Sequence, residues 1–113
     1  MARTDITVTE IVRTGVVQTA TQGIVDGHQF LNDSRTLARI ENTNAAASVT
    51  VTFQTPIKIH GLDLVDLVVT IPASSVRYSA PFPRAVFNQS DGKVYVDYSA
   101  PTTTKIEIYK LPL

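Results

Sequence analysis

Ser48-Val49-Thr50-Val51-Thr52-Phe53 alternates apolar and hydroxyl-bearing side chains without a slip, so Val49, Val51 and Phe53 share one face and the hydroxyls the other. A period of two is the pleat of a β-strand with one side in a core and one in water. Lys93-Val94-Tyr95-Val96-Asp97-Tyr98 repeats the scheme with Val94 and Val96 inward, and Lys105-Ile106-Glu107-Ile108-Tyr109 does so with Ile106 and Ile108. Ile6, Val8 and Val12 follow it near the start. No window of a dozen residues carries the i, i+3, i+4, i+7 apolar spacing of a helix. With 15 Thr, 14 Val and 9 Ile, about a third of the 113 residues are β-branched, which suits a pleated surface and disfavours helix. The chain reads as all-β.

Turn residues cut these strands to short lengths. Gly15, Gly23, Asp26-Gly27 and Asn32-Asp33-Ser34 punctuate the first third, and Asn42-Thr43-Asn44 leads into the Val49 strand. Pro56 and His60-Gly61 bracket Ile57-Lys58-Ile59, Pro72-Ala73-Ser74 ends the strand from Leu67 to Ile71, and Pro81-Phe82-Pro83 ends the next. Asp91-Gly92, directly before the Lys93 strand, is the strongest hairpin signal. Seven to nine short strands at this spacing predict a two-sheet antiparallel β-sandwich, jelly-roll or immunoglobulin-like, with a small closed barrel as the alternative.

One domain of 12.3 kDa is expected, large enough to hold a core without a staple. Within it, residues 1–22 read as an edge strand or as an arm that pairs with a neighbouring subunit, and residues 23–113 as the sandwich. Leu62-Asp63-Leu64-Val65-Asp66-Leu67-Val68-Val69 is apolar on both faces beyond Asp66. It reads as a buried central strand, or as one whose outer face another subunit covers.

Composition removes several classes of function. The absence of cysteine rules out disulfides, thiol nucleophiles, thiolate zinc sites and iron–sulfur clusters. Ten basic against ten acidic residues, dispersed along the chain, argue against a nucleic-acid partner. No membrane span is expected, because the apolar stretch from Leu62 to Ile71 is too short and carries Asp63 and Asp66. Met1-Ala2-Arg3-Thr4-Asp5 has an acid where the apolar part of a secretory signal would begin, so synthesis and folding in a cytoplasm are expected.

Catalytic patterns are weak. His28 and His60 stand 32 positions apart with no metal-ligand spacing around either. His28 could pair with Asp26, or serve only as a turn residue. No G-x-S-x-G elbow, phosphate-binding glycine loop or calcium loop is present, and Asp63 and Asp66 or Asp26 and Asp33 are too sparse to make the last. Asn32-Asp33-Ser34 and Asn88-Gln89-Ser90 are chance sequons at turns. No enzymatic activity, cofactor, metal or small-molecule substrate is therefore expected. Pro81-Phe82-Pro83-Arg84 is the most distinctive local feature. Its pre-ordered Phe82, with Arg84, is either an exposed anchor for a partner or a plug in the open end of the sandwich.

The order of motifs carries a resemblance. Asp26-Gly27-His28-Gln29-Phe30-Leu31-Asn32-Asp33 is followed by Gly61-Leu62 and then Asp66-Leu67-Val68-Val69-Thr70-Ile71-Pro72-Ala73. After these come Pro81-Phe82-Pro83 and Phe87-Asn88-Gln89-Ser90-Asp91-Gly92-Lys93-Val94-Tyr95-Val96-Asp97-Tyr98-Ser99. Across residues 23–110 the chain resembles small all-β head proteins of tailed bacteriophages and prophages. The resemblance implies a structural virion protein: a capsid decoration, or cement, protein on the capsid exterior. Its partner would be the major capsid protein, whose lattice it stiffens, and it would often bind as a homotrimer. Such a trimer would be cross-linked by strand addition of the segment around Ile6 and Val8, with Phe82 and Arg84 as further interface candidates. A carbohydrate-binding or adhesive module of a phage tail or cell surface is the second reading, with Tyr78, Tyr95, Tyr98, Phe82 and Asn88 as its sugar-contacting set.

Overall fold

Each of the three alternating stretches is a strand that buries the face its alternation assigns. Val49, Val51 and Phe53, Val94 and Val96, and Ile106 and Ile108 are all closed off from solvent. The computed structural model that places them describes residues 3–56, 58–63, 65–80 and 82–111. Met1, Ala2, Ile57, Leu64 and Pro81, used above in reading the start of the chain, the Ile57 and Leu62 stretches and the Phe82 motif, lie outside the described residues. In chain order the strands are β1 (Thr4–Asp5), β2 (Val8–Glu10), β3 (Thr21–Gln22), β4 (His28–Leu31), β5 (Thr36–Asn42), β6 (Val49–Phe53), β7 (Lys58–Ile59) and β8 (Leu62–Asp63). β9 (Leu67–Ile71), β10 (Val76–Ser79), β11 (Lys93–Tyr98) and β12 (Thr104–Lys110) follow, with one helical turn, α1 (Arg84–Phe87), between β10 and β11.

These strands form a β-sandwich. The first sheet has the order β1-β4-β11-β6-β9, and the second β10-β5-β12-β2, with β3 also on β12. Neither closes into a barrel. Apart from the step from β6 to β9, each strand from β4 to β11 in these sheets is followed by one in the opposite sheet, so the connections lace the two layers together. The core between them draws Phe30, Val51, Phe53, Ile71, Val94 and Val96 from the first sheet and Ala38, Ile40, Ile106 and Ile108 from the second.

Residues 3–10 correct the purely antiparallel expectation. β1 runs parallel to β4, with Thr4 opposite His28, and β2 runs parallel to β12, with Val8 opposite Ile108. Both sheets are therefore mixed. The chain steps from one sheet to the other at Ile6-Thr7, and Ile6 is buried in the core at the step.

Two further expectations are revised. Asp91-Gly92 is a tight turn, closed by Gly92 N–H to the Gln89 carbonyl at 2.9 Å, but α1 and not a strand precedes it. The two-residue hairpin turn lies at His60-Gly61 between β7 and β8, where both residues have positive φ (53° and 81°) as a type I′ turn requires. The Leu62 to Val69 run is broken rather than being one central strand. Asp66 turns back to accept hydrogen bonds from the Thr55 N–H (2.9 Å) and hydroxyl (3.1 Å), and β9 after it pairs with β6 as the last strand of the first sheet.

Candidate interaction surface

The sandwich sorts the four interface candidates by burial. Ile6 is a core residue, and Val8 is half-buried against the core. Phe82 is fully buried, with its ring 5.7, 4.8 and 5.3 Å from those of Phe30, Phe53 and Phe87. The plug reading of Phe82 describes its place, and the anchor reading is corrected. A side chain enclosed by three rings of its own chain has no surface left to offer a partner. Arg84 opens α1 and is exposed, its backbone N–H donating to Ser34 Oγ at 3.0 Å. β1 and β2 are each paired on one side within the chain, with β4 and β12, and are terminal strands of their sheets, so any strand addition through them would use the opposite edge.

Titratable groups do not converge. His28 is buried, and its Nδ1 meets the Tyr98 hydroxyl at 2.6 Å rather than Asp26. Burial pushes the His28 imidazole below its ordinary pKa and the Tyr98 phenol well above its own, so both are neutral at pH 7. His60 occupies its turn far along the chain in a separate two-stranded ribbon. Among the described residues no group of three His, Asp or Glu side chains could hold a metal ion.

The five residues of the sugar-contacting set are also dispersed. Tyr95 lies on the outer face of the first sheet, under the Arg3 guanidinium at 4.7 Å from the ring centre. Tyr78 projects from β10 in the second sheet, Tyr98 packs against the core, and Phe82 is inside it. Asn88 is engaged with Asn32 and Gly92.

Polar side chains that periodicity could not single out hold the ends of the sandwich together. Asn32 Nδ2 donates to the Phe82 carbonyl and to Asn88 Oδ1, both at 2.7 Å, while its Oδ1 accepts from Ser34 N–H and the Thr36 hydroxyl. Ten positions on, at the other end of β5, Asn42 Nδ2 donates to the carbonyls of Ala47, Ile71 and Pro72, and its Oδ1 accepts from Asn44 N–H. Arg3 crosses Gly27 to reach the Val96 carbonyl (3.0 Å) and Asp97 (2.8 Å). Burial opposes ionisation of Asp97, yet hydrogen bonds from Arg3 and Gln54 hold its carboxyl below the usual range.

Three surface features remain as places for a partner. A groove of about 640 Å³ follows the Asp5–Val8 step; of the charged groups that line it, Lys93 is paired with Asp5 at 2.9 Å and Asp33 with Arg35 at 3.0 Å. A second groove, about 620 Å³, lies on the outer face of the second sheet beneath residues 11–18, walled by Val16, Val17, Leu37 and Tyr78. Its Arg39 is paired with Glu107 at 2.7 Å, and Glu107 also accepts from the Tyr109 hydroxyl. The third feature is β9 and its approach, where Val68 is 54% exposed, Val65 87% and Leu62 74%. Apolar side chains this open, in a stretch whose only charges are Asp63 and Asp66, are an interaction signal.

No protein-family model matches the chain, and neither a curated protein nor a solved structure matches it.

Proposed function

We propose that this chain is a structural virion protein, a capsid decoration protein that binds the outside of a major-capsid lattice and stiffens it. The observation that supports the reading best is the way residues 3–10 stitch the sandwich shut. β1 is paired in one sheet, β2 in the other, and Ile6 is buried between them. With both ends of β5 clamped by Asn32 and Asn42, the result is a rigid plate that spans 42 × 35 × 24 Å. No buried side-chain polar atom among the described residues lacks a partner. A plate of this kind contributes stiffness to whatever lattice it is fixed on, and repeated weak contacts to an array fix it without a strong single site. The trimer implied by the resemblance belongs to the proposal.

The test is co-sedimentation of the purified chain with undecorated capsids of tailed phages. Saturation at a fixed number of copies per capsomer, with a rise in the temperature at which the capsids disrupt, is the expected result. Failure to bind any such capsid, expanded or unexpanded, overturns the proposal.

A further inference from the structure

β9 pairs with β6 on one side, and as the terminal strand of the first sheet it offers its other side to solvent. An exposed strand edge is a template for another strand, and most proteins blunt it with charge, proline or brevity. The other edges here are blunted in these ways. β1 has two residues, one of them Asp5, β2 ends in Glu10, and β10 carries Arg77. β9 is five residues long, Leu67-Val68-Val69-Thr70-Ile71, with no charge, glycine or proline. Its outer side chains, Val68 and Thr70, are exposed.

The sequence of β9 is complementary to itself. In an antiparallel pair of copies related by a two-fold axis at Val69, Leu67 faces Ile71 and Val68 faces Thr70, so every cross-strand pair joins apolar or β-branched side chains. Just beyond the strand, Asp66 falls opposite Pro72, so the two acids do not meet, and the proline ends the ladder. A two-fold contact of this kind uses up the edge in both partners, so the pairing stops at two and does not grow into a fibre.

We propose that two copies of this chain pair edge to edge through β9, antiparallel and centred on Val69, joining their first sheets into one continuous sheet of ten strands. The inference does not rest on the capsid reading. It holds for free chains, and if the chain forms trimers by another surface it links one trimer to the next.

Because the chain has no cysteine, single thiols report the register directly. Directly opposed residues in an antiparallel pair have Cα atoms about 4.5–5.5 Å apart, within disulfide reach, whereas diagonal ones are about 7–8 Å apart. Val68→Cys and Thr70→Cys chains are mixed and oxidised over a concentration series. The mixed 68–70 disulfide is expected to dominate over both homodimers, and Val68→Lys placed in the Thr70→Cys chain is expected to suppress it while leaving the circular dichroism unchanged. Products in the binomial proportion of random collision, or no disulfide at millimolar protein, overturn the proposal. A dominant Val68→Cys homodimer overturns the register centred on Val69. Each of these readouts comes from the isolated protein, so loss of capsid binding and loss of β9 pairing are separate results.

Discussion

His28 Nδ1 lies 2.6 Å from the Tyr98 hydroxyl, with the two rings edge to face at 81° and the histidine closed off from solvent. A neutral imidazole satisfies this contact, and an imidazolium there would be a buried charge with no carboxylate bonded to it. The folded state thus binds a proton at His28 less readily than the unfolded chain does, and stability depends on pH accordingly. Its contribution is complete above the ordinary histidine value of about 6.5 and is lost as pH falls below it, because the unfolded state then takes up the proton first. Melting temperature is expected to fall between pH 7 and pH 5, and His28→Gln is expected to flatten that fall. Further loss near pH 4 and below belongs to Asp5, Asp33 and Asp97, whose carboxyls are held below their usual range. At the alkaline end, burial of the Tyr98 phenol predicts a second loss above about pH 10. A melting curve flat from pH 7 to 5 would contradict the assignment.

Gly27 is required twice over. Its φ is +81°, and a Cβ there would stand 2.3 Å from Arg3 Nη1, 2.6 Å from the Val96 carbonyl oxygen and 2.8 Å from Asp97 Oδ1. Gly27→Ala is expected to cost about 2–3 kcal/mol in urea unfolding, from backbone strain and overpacking together. Removing the flexible arginine in an Arg3→Ala/Gly27→Ala double variant should recover only part of this, because the Val96 carbonyl cannot move aside without opening β11.

Asn32 uses both ends of its amide, so its two conservative replacements fail for different reasons. Asn32→Ala leaves the Phe82 carbonyl and Asn88 without their donor and is expected to cost about 2–4 kcal/mol. Asn32→Asp keeps the acceptor for Ser34 and Thr36 but sets a carboxylate against two oxygens, at 2.7 Å each. It is expected to be destabilising at pH 7 and to recover as the pH is lowered toward 4. A rise in stability of Asn32→Asp on acidification, against the fall of the parent chain, is the signature to look for.

Phe82 and Arg84, two positions apart, are expected to separate cleanly. Phe82→Ala removes the ring shared by Phe30, Phe53 and Phe87 and should cost about 3–5 kcal/mol. Arg84→Ala should change stability by no more than about 0.5 kcal/mol, since the side chain is exposed. Urea denaturation of the two variants checks both.

Strands whose alternation pairs large apolar with polar residues were readable in the sequence, as Val49 to Phe53 and Lys93 to Tyr98 illustrate. β5 is as long as any strand here, yet its inward set is Thr36, Ala38, Ile40 and Asn42. Only one of those four is large and apolar, so periodicity alone passes over it. The buried Glu107 lies on the side of β12 that alternation assigns to water, and it is covered because residues 11–18 fold across that face. Parallel pairing of β1 and β2 leaves no local mark, because it joins residues about 24 to 100 positions apart. The exposed side of β9 was hidden for a similar reason. A continuous apolar run reads as buried, and only the sheet order shows which strand is last.

Gln18 ties β2 to β12 beyond their own ladder. Its amide nitrogen donates to the Thr7 carbonyl (2.7 Å) and Thr9 Oγ1 (2.5 Å), and its carbonyl accepts from Ile108 N–H at 3.1 Å. β2 is entered at Val8 and β12 is left at Lys110, with the two strands parallel between. A pull applied through residues 3 and 111 in opposite directions would slide these strands along each other, so that all the bonds between them, including the Gln18 staple, share the load at once. An antiparallel pair pulled from one end would instead open bond by bond. Under tension the chain would give way abruptly and at high force, and Gln18→Ala would lower that force more than it lowers stability at rest.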